Sequence, residues 1–372
     1  MWVCNGRSGL RRAALAASLA AAQAAVAGAA AAQGGAGQAV QVDRAFSAEP
    51  GKGAEDLSGI ACRPPGPADG LPCLVVNDES AFAQMATLRD GRLIAGPVVP
   101  LVRSEAPGPG EAAGSAPAGR TCPGGEARFK DFDGEGVAWS PGPSGGGRYF
   151  VTGSHACGRG GGKFRASTHL LARINVDAAG NHGPAALTWR LGPALARAEH
   201  VGAHHDRALD EEKQGLDVEG VAASGDRLFF GLRAPSLGGA AHVVSANADD
   251  LFSPDGRPDP VPTRVARLKL GTNTGIRDMA TLPDGRLLLL TGPSQTQREV
   301  RPGIAVTRPS GEEEWPVDWL LRDLRPVAGN GEAKAEGLAV LGVSGDTARV
   351  LVLFEDPANG GAQEHSLSLP PR

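Results

Sequence analysis

Residues 132–138 read FDGEGVA, and residues 216–222 read LDVEGVA. Three further stretches share the form: DLSGIA from Asp56, GIRDMA from Gly275 and KAEGLA from Lys334. Each runs from polar or acidic residues, usually through Gly, to an aliphatic residue (Met in the fourth) and then Ala. A turn and an apolar run follow each one: CLVVNDES, RYFVTGSHA, RLFFGLRAP, RLLLLTGPS and RVLVLFEDP. The turns, such as PDGR at Pro283, SGDR at Ser224 and SGDT at Ser344, suit β-hairpins. The equivalent position falls at Gly59, Gly136, Gly220, Asp278 and Gly337, in steps of 77, 84, 58 and 59 residues. The two long steps contain polar insertions near Ser104–Lys130 and Ala194–Gln214. Without them the period is about 50–60 residues, the size of a four-stranded propeller blade.

Two more strand-like pieces follow most hairpins, as in HLLARINVD then AALTWRL. The chain is therefore read as all-β, a β-propeller of four-stranded blades occupying residues 51–372. Small residues in the first strand let backbones crowd around the axis. The second strand, buried between blades, reads as a continuous aliphatic run. Five repeats are visible. MATLRDGRLIA at Met85 is read as the outer hairpin of the first blade; as an inner hairpin it would make six. Residues 33–50, with QAVQVDRAFSA, supply a closing strand beside EHSLSL near the C-terminus, removing an open edge.

Composition agrees with this reading. Hydrophobic content is 41%, and 54 Gly with 29 Pro favour turns over long helices. A net charge of −4 without a Lys/Arg run excludes general nucleic-acid binding. Residues 1–32 place Arg7, Arg11 and Arg12 before an Ala-rich stretch ending in small residues, the pattern of a cleaved export signal. A periplasmic or secreted monomer without stable membrane insertion is expected. Beyond Cys4, an even set remains: Cys62, Cys73, Cys122 and Cys157. Their spacings match no zinc pattern. Cys62 and Cys73 flank a turn and are expected to bond across a hairpin, leaving Cys122 with Cys157.

In an antiparallel hairpin the start of the first strand lies beside the end of the second. Residues before each Gly-aliphatic-Ala step therefore share a face with those after each apolar run. In a closed ring both sets converge on one mouth. Glu135, Glu219, Asp278 and Glu336 are read as ligands for a hard cation such as Ca²⁺. Glu135 and Glu219, with His155 and Arg233, are candidate catalytic groups for hydrolysis. Asp78, Glu79, Arg277, Glu355 and Asp356 are candidate contacts to a small or anionic ligand. The alternatives are a non-catalytic protein- or ligand-binding module, and a structural domain in which each acid only caps its turn or pairs with Arg. His200 and His204 in EHVGAHHD, and the glycine-rich GRGGGK, are read as a solvated segment and a loop.

Together these motifs, in this order from about Asp56 to Asp356, resemble the bacterial proteins grouped as domain of unknown function family 3616. More distantly, the repeated step is similar to that of exported phytase-like and esterase-like propellers. That similarity implies a propeller fold and a calcium-dependent ester or phosphoester hydrolase. Ser58 in place of an acid, and the absence of a dense Lys/Arg cluster, depart from a site for highly phosphorylated substrates.

Overall fold

The computed structural model describes Met1 and residues 37–49, 52–65, 70–108, 110–117, 122, 129–159, 164–254, 258–327, 333–355 and 357–372. The export-signal reading falls outside the described residues, as does Asp356. Five antiparallel sheets follow one another as the blades of a propeller. From the axis outward, blade 1 has Leu57–Cys62, Leu71–Asn77, Phe82–Arg89 and Arg92–Pro100. Blade 2 has Gly134–Pro141, Gly147–Gly153, Leu171–Val176 and His182–Thr188. Blade 3 has Asp217–Ser224, Arg227–Ala234, Ala241–Asn247 and Arg264–Leu268. Blade 4 has Thr274–Thr281, Leu287–Pro293, Gly303–Thr307 and Val317–Arg322. Blade 5 has Ala335–Ser344, Thr347–Phe354 and Gln363–Ser368, and takes its fourth strand, Gln38–Ala39, from the N-terminal segment.

That last pairing sets Gln38 opposite Glu364 and Ala39 opposite Gln363, so the expected closure is present. A few residues on, Gln41–Arg44 adds in parallel to the outer edge of blade 1. The segment thus joins the last blade to the first. Met85 lies in the third strand of blade 1, within the outer hairpin, and the blade count is five. Each innermost strand packs against that of the next blade, and blade 5 closes on blade 1. Five apolar clusters fill the gaps between neighbouring blades, led by the second-strand residues Val75, Val151, Phe230, Leu289 and Val350. Burial of these runs supplies the main stabilisation, about 1.5–3 kcal/mol for each large side chain.

The repeat glycines have a packing cause. A Cβ on Gly59 would meet the backbone oxygen of Glu135 at 2.4 Å, and one on Gly136 that of Glu219 at 2.6 Å. The inner strands of blades 1, 2 and 3 come this close only because the side chain is missing. In blade 4 the position is Asp278. Its carboxylate accepts the amides of Met279 (2.8 Å) and Leu338 (2.7 Å), tying blade 4 to blade 5. Cys62 and Cys73 face each other across the inner hairpin of blade 1 and stand at bonding distance, as do Cys122 and Cys157. Among the described residues no helix is long and apolar enough to cross a membrane.

Candidate functional site

One feature of the ladders builds the site. In every inner hairpin the register skips a residue near the start of the first strand: Ser58, Glu135, Glu219, Arg277 and Glu336. Each is a bulge at the same blade position, and a bulge re-aims its side chain. All five line one cavity of about 260 Å³ at a mouth of the central channel. In blade 3 the partner strand skips too, at Arg233, and Arg233 enters the same cavity.

Residues two places earlier add a second layer. Asp56, Asp133, Asp217 and Lys334 line the cavity. Blade 4 has Gly275 there, where a Cβ would strike the backbone of Arg233. The ends of second strands contribute Asp78, Ser154 and Glu355, and the segments outside the blades contribute Arg159 and Arg165. Among the described residues the lining therefore holds eight carboxyl groups and five basic groups, and no aromatic ring.

Their pairing is uneven. Glu219 bridges Arg233 (2.6 Å) and Arg277 (2.9 Å). Arg277 also binds Glu336 through both Nε, at 2.8 Å, and Nη2. Lys334 pairs with Glu355 at 2.6 Å. Burial pushes Glu336 up to about 8 against the pull of Arg277. Against the effect of burial, Lys334 and a hydrogen bond with Glu336 hold Glu355 below its usual range. The side belonging to blades 3–5 is thus a chain of alternating acidic and basic groups.

Blades 1 and 2 differ. Arg165 reaches Asp131 at 3.0 Å and Asp133 at 3.8 Å, and Ser154 donates to Asp133. Glu135 has no basic group within 4 Å among the described residues. Burial, and then Glu219, Asp133, Asp217 and Asp78, push its carboxyl well above the usual range. Burial and then Asp133, Asp56 and Glu355 raise Asp78 to about 8, and its buried Oδ1 has no hydrogen-bond partner. Burial and Glu219, opposed by Arg233 at 3.6 Å, lift Asp217 to about 7. Arg159 stands exposed at the rim, without a carboxylate within 4 Å among the described residues.

Of the residues proposed from sequence, the structure brings together Asp78, Glu135, Glu219, Arg233, Arg277, Glu336 and Glu355. It leaves three others out of the cavity. Asp278 is spent on the two backbone amides. Glu79 lies on the surface with Lys52 at 2.6 Å. His155, left-handed with φ 53° and fully buried, packs with its ring 5.5 Å from that of His169. Burial holds His155 well below the ordinary histidine range, so it is neutral. Sequence reasoning passed over Asp56, Asp217, Lys334 and the two loop arginines. The first three had a signal: each precedes the bulge residue of its blade by two.

Fold and site define a five-bladed propeller with a carboxyl-lined channel mouth. The family described as "Protein of unknown function (DUF3616)" matches residues 178–368, and the chain belongs to it. No curated protein matches in sequence. Among solved structures the chain is similar to the catalytic domain of a Coprinopsis cinerea GH62 alpha-L-arabinofuranosidase, with TM-score 0.44 and 8% identity over 90% of this chain and 97% of that one. It is also similar to an alpha-L-arabinofuranosidase of Podospora anserina solved with cellotriose, with TM-score 0.43 and 8% identity over 90% of this chain and 96% of that one. A bifunctional GH43-CE protein of Bacteroides eggerthii gives TM-score 0.36 and 11% identity over 85% of this chain. The chain spans 34% of that protein's length. At these values no residue role is transferred.

Proposed function

We propose that the mouth binds a small hydrophilic, anionic substrate and hydrolyses an ester or phosphoester bond in it by acid–base catalysis. One observation carries the reading. Glu135 sits among four carboxyl groups with no basic group within 4 Å among the described residues, a setting that raises its pKa and favours its protonated form. Asp217, lifted to about 7, is a base poised at the working pH. In this scheme Asp217 takes a proton from water, and the water oxygen bonds to the carbonyl carbon or phosphorus. As the old bond breaks, Glu135 gives its proton to the leaving oxygen. Arg159 and Arg165 hold the anionic part of the substrate, and Glu219 is fixed between two guanidinium groups as a positioning residue. Cysteine pairs at bonding distance support work in the periplasm or outside the cell.

A second reading puts Ca²⁺ at the same carboxyls. The unpartnered Asp78 Oδ1 and the uncompensated Glu135 favour it. Against it, no three acidic, histidine or cysteine groups among the described residues stand in a metal-holding arrangement, and the acid–base scheme needs no metal. The test is a screen with 4-nitrophenyl esters, phosphate monoesters and phosphate diesters, run with added Ca²⁺ and with a chelator. Turnover that falls at least about 100-fold in Glu135→Gln and Asp217→Asn supports the scheme. Turnover abolished by chelator, with a melting temperature raised by Ca²⁺, replaces it with the metal reading. No turnover under any condition overturns both and leaves a binding module.

A further inference from the structure

The repeat encodes a second cavity that the proposed hydrolysis does not use. Within each acid-Gly-aliphatic-Ala step the first residue lines the charged mouth. The last residue, Ala61, Ala138, Ala222, Ala280 or Ala339, lines a different cavity of about 540 Å³. Three residues of strand carry the chain about 10 Å along the axis. The turns that end inner hairpins, at Gly225 and Gly285, also border this space. It is therefore the opposite end of the channel. The aliphatic residues Val137, Val221, Met279 and Leu338 line it as well, so all five blades contribute an apolar surface. Its volume lies within the ~300–1,000 Å³ of small-molecule sites.

An apolar cavity alone does not identify its occupant; here a charge does. Arg63, only 8% exposed, lines this cavity between blades 1 and 2. Its Nε is buried without a hydrogen-bond partner, and no carboxylate stands within 4 Å of it among the described residues. Trp139 lines the same cavity, and its Nε1 is likewise buried and unpartnered. The two belong to one corner. The Trp139 ring packs 4.7 Å from that of Tyr149, and the Tyr149 hydroxyl donates to Pro72 O, the carbonyl that also accepts the Arg63 amide. A buried guanidinium without a counter-ion is costly, and orphaned donors in a native structure call for a partner.

We propose that this end of the channel binds an aliphatic carboxylate, its head at Arg63 and Trp139 and its chain among the repeat alanines. The funnel of small side chains leaves room for the chain, and the charge at one corner sets its direction. This site is separate from the carboxyl-lined mouth and does not depend on the reaction proposed there.

Isothermal titration of the full protein with decanoate and with decanol tests it. Saturable one-to-one binding of decanoate is expected, strengthening about fourfold per methylene from octanoate to decanoate. Arg63→Gln should weaken decanoate at least tenfold and leave decanol unchanged. Absence of saturable decanoate binding, or equal decanoate affinity in Arg63→Gln, overturns the proposal. Should Arg63→Gln fail to fold, Trp139→Phe, which removes the other orphaned donor, must weaken decanoate and leave decanol unchanged. Unchanged affinity in that variant overturns the proposal equally.

Discussion

The substitution Gly136→Ala tests the claim that the repeat glycines set the spacing of the ring. An added Cβ would lie 2.6 Å from Glu219 O, 2.8 Å from Val221 N and 3.1 Å from Gly220 C. All three are backbone atoms of the next blade, so no rotamer change relieves the contact. The inner strands of blades 2 and 3 must separate, against the apolar cluster that fills the gap between them. Overpacking of this kind costs about 1–3 kcal/mol, and rigid backbone on every side argues for the upper part of that range. The smaller entropy of the unfolded Ala chain returns about 0.4–1 kcal/mol. A net loss of about 2 kcal/mol is expected. Gly342→Ala is the control. It lies in the same class of strand, with nothing within 4 Å of its Cβ and no positive φ. It should gain about 0.4–1 kcal/mol. Urea unfolding followed by tryptophan fluorescence reads both, and the midpoints should move in opposite directions. Equal midpoints for the two variants would refute the packing argument and leave the repeat glycines unexplained.

Two other predictions concern charge. Arg277→Met strips Glu336 of both its guanidinium contacts and Glu219 of one, so a loss of about 3–5 kcal/mol is expected in the same urea assay. Adding Glu336→Gln should recover part of that loss; a double variant no more stable than the single one would count against the pairing. Stability should also fall as pH rises above about 6.5. Asp78, raised to about 8, keeps its proton in the folded state while the unfolded chain has lost it, so its contribution fades through that pH. His169, lowered to about 3 by burial, acts oppositely, but only between about 3 and 6.5, where the unfolded chain binds the extra proton. Scanning calorimetry from pH 6.5 to 8.5 isolates the carboxyl effect, which Asp78→Asn should reduce; a rising melting temperature over that range would contradict the buried-acid assignment.

Much of the fold could be read in advance because its physical causes are local. Close backbone approach demands Gly, burial between blades demands unbroken aliphatic runs, and both recur at blade spacing. The blade count stayed open because the hairpin at Met85 has the composition of an inner hairpin. Only the preceding strand, Leu71–Asn77, settles that it lies outside. The site was less legible where the period of two fails. His155 lies one residue beyond Ser154, which is the one in line with Asp78 and Glu355, and its left-handed backbone turns it into the interior. Asp278 reads as one more acid, although it stands at the glycine position of the repeat rather than the bulge. Arg159 and Arg165 come from segments outside the repeat, where no pattern pointed to them. The bulges themselves have no sequence signature beyond the motif, and they are what turns five side chains toward one point.

The departures from the repeat explain where the chemistry can sit. Five glutamates at the five bulges would crowd like charges around one axis at high electrostatic cost. The chain instead places Ser58 in blade 1 and Arg277 in blade 4. Arg277 stands between Glu219 of blade 3 and Glu336 of blade 5 and contacts both. Those two glutamates are thereby committed to holding the ring. Neutral Ser58, beside blade 2, offers Glu135 no such partner. The one bulge acid without a cation is therefore on the side where Asp78 and Asp133 also gather. Replacing Ser58 with Arg would set a guanidinium beside Glu135 and lower its pKa, as Arg277 does for Glu336 against the effect of burial, loosening the proton that the proposed reaction spends. Ser58→Arg should therefore suppress turnover while leaving the fold intact, whereas Ser58→Ala should preserve both. Equal activity in the two variants would show that the proton on Glu135 is not what the site uses.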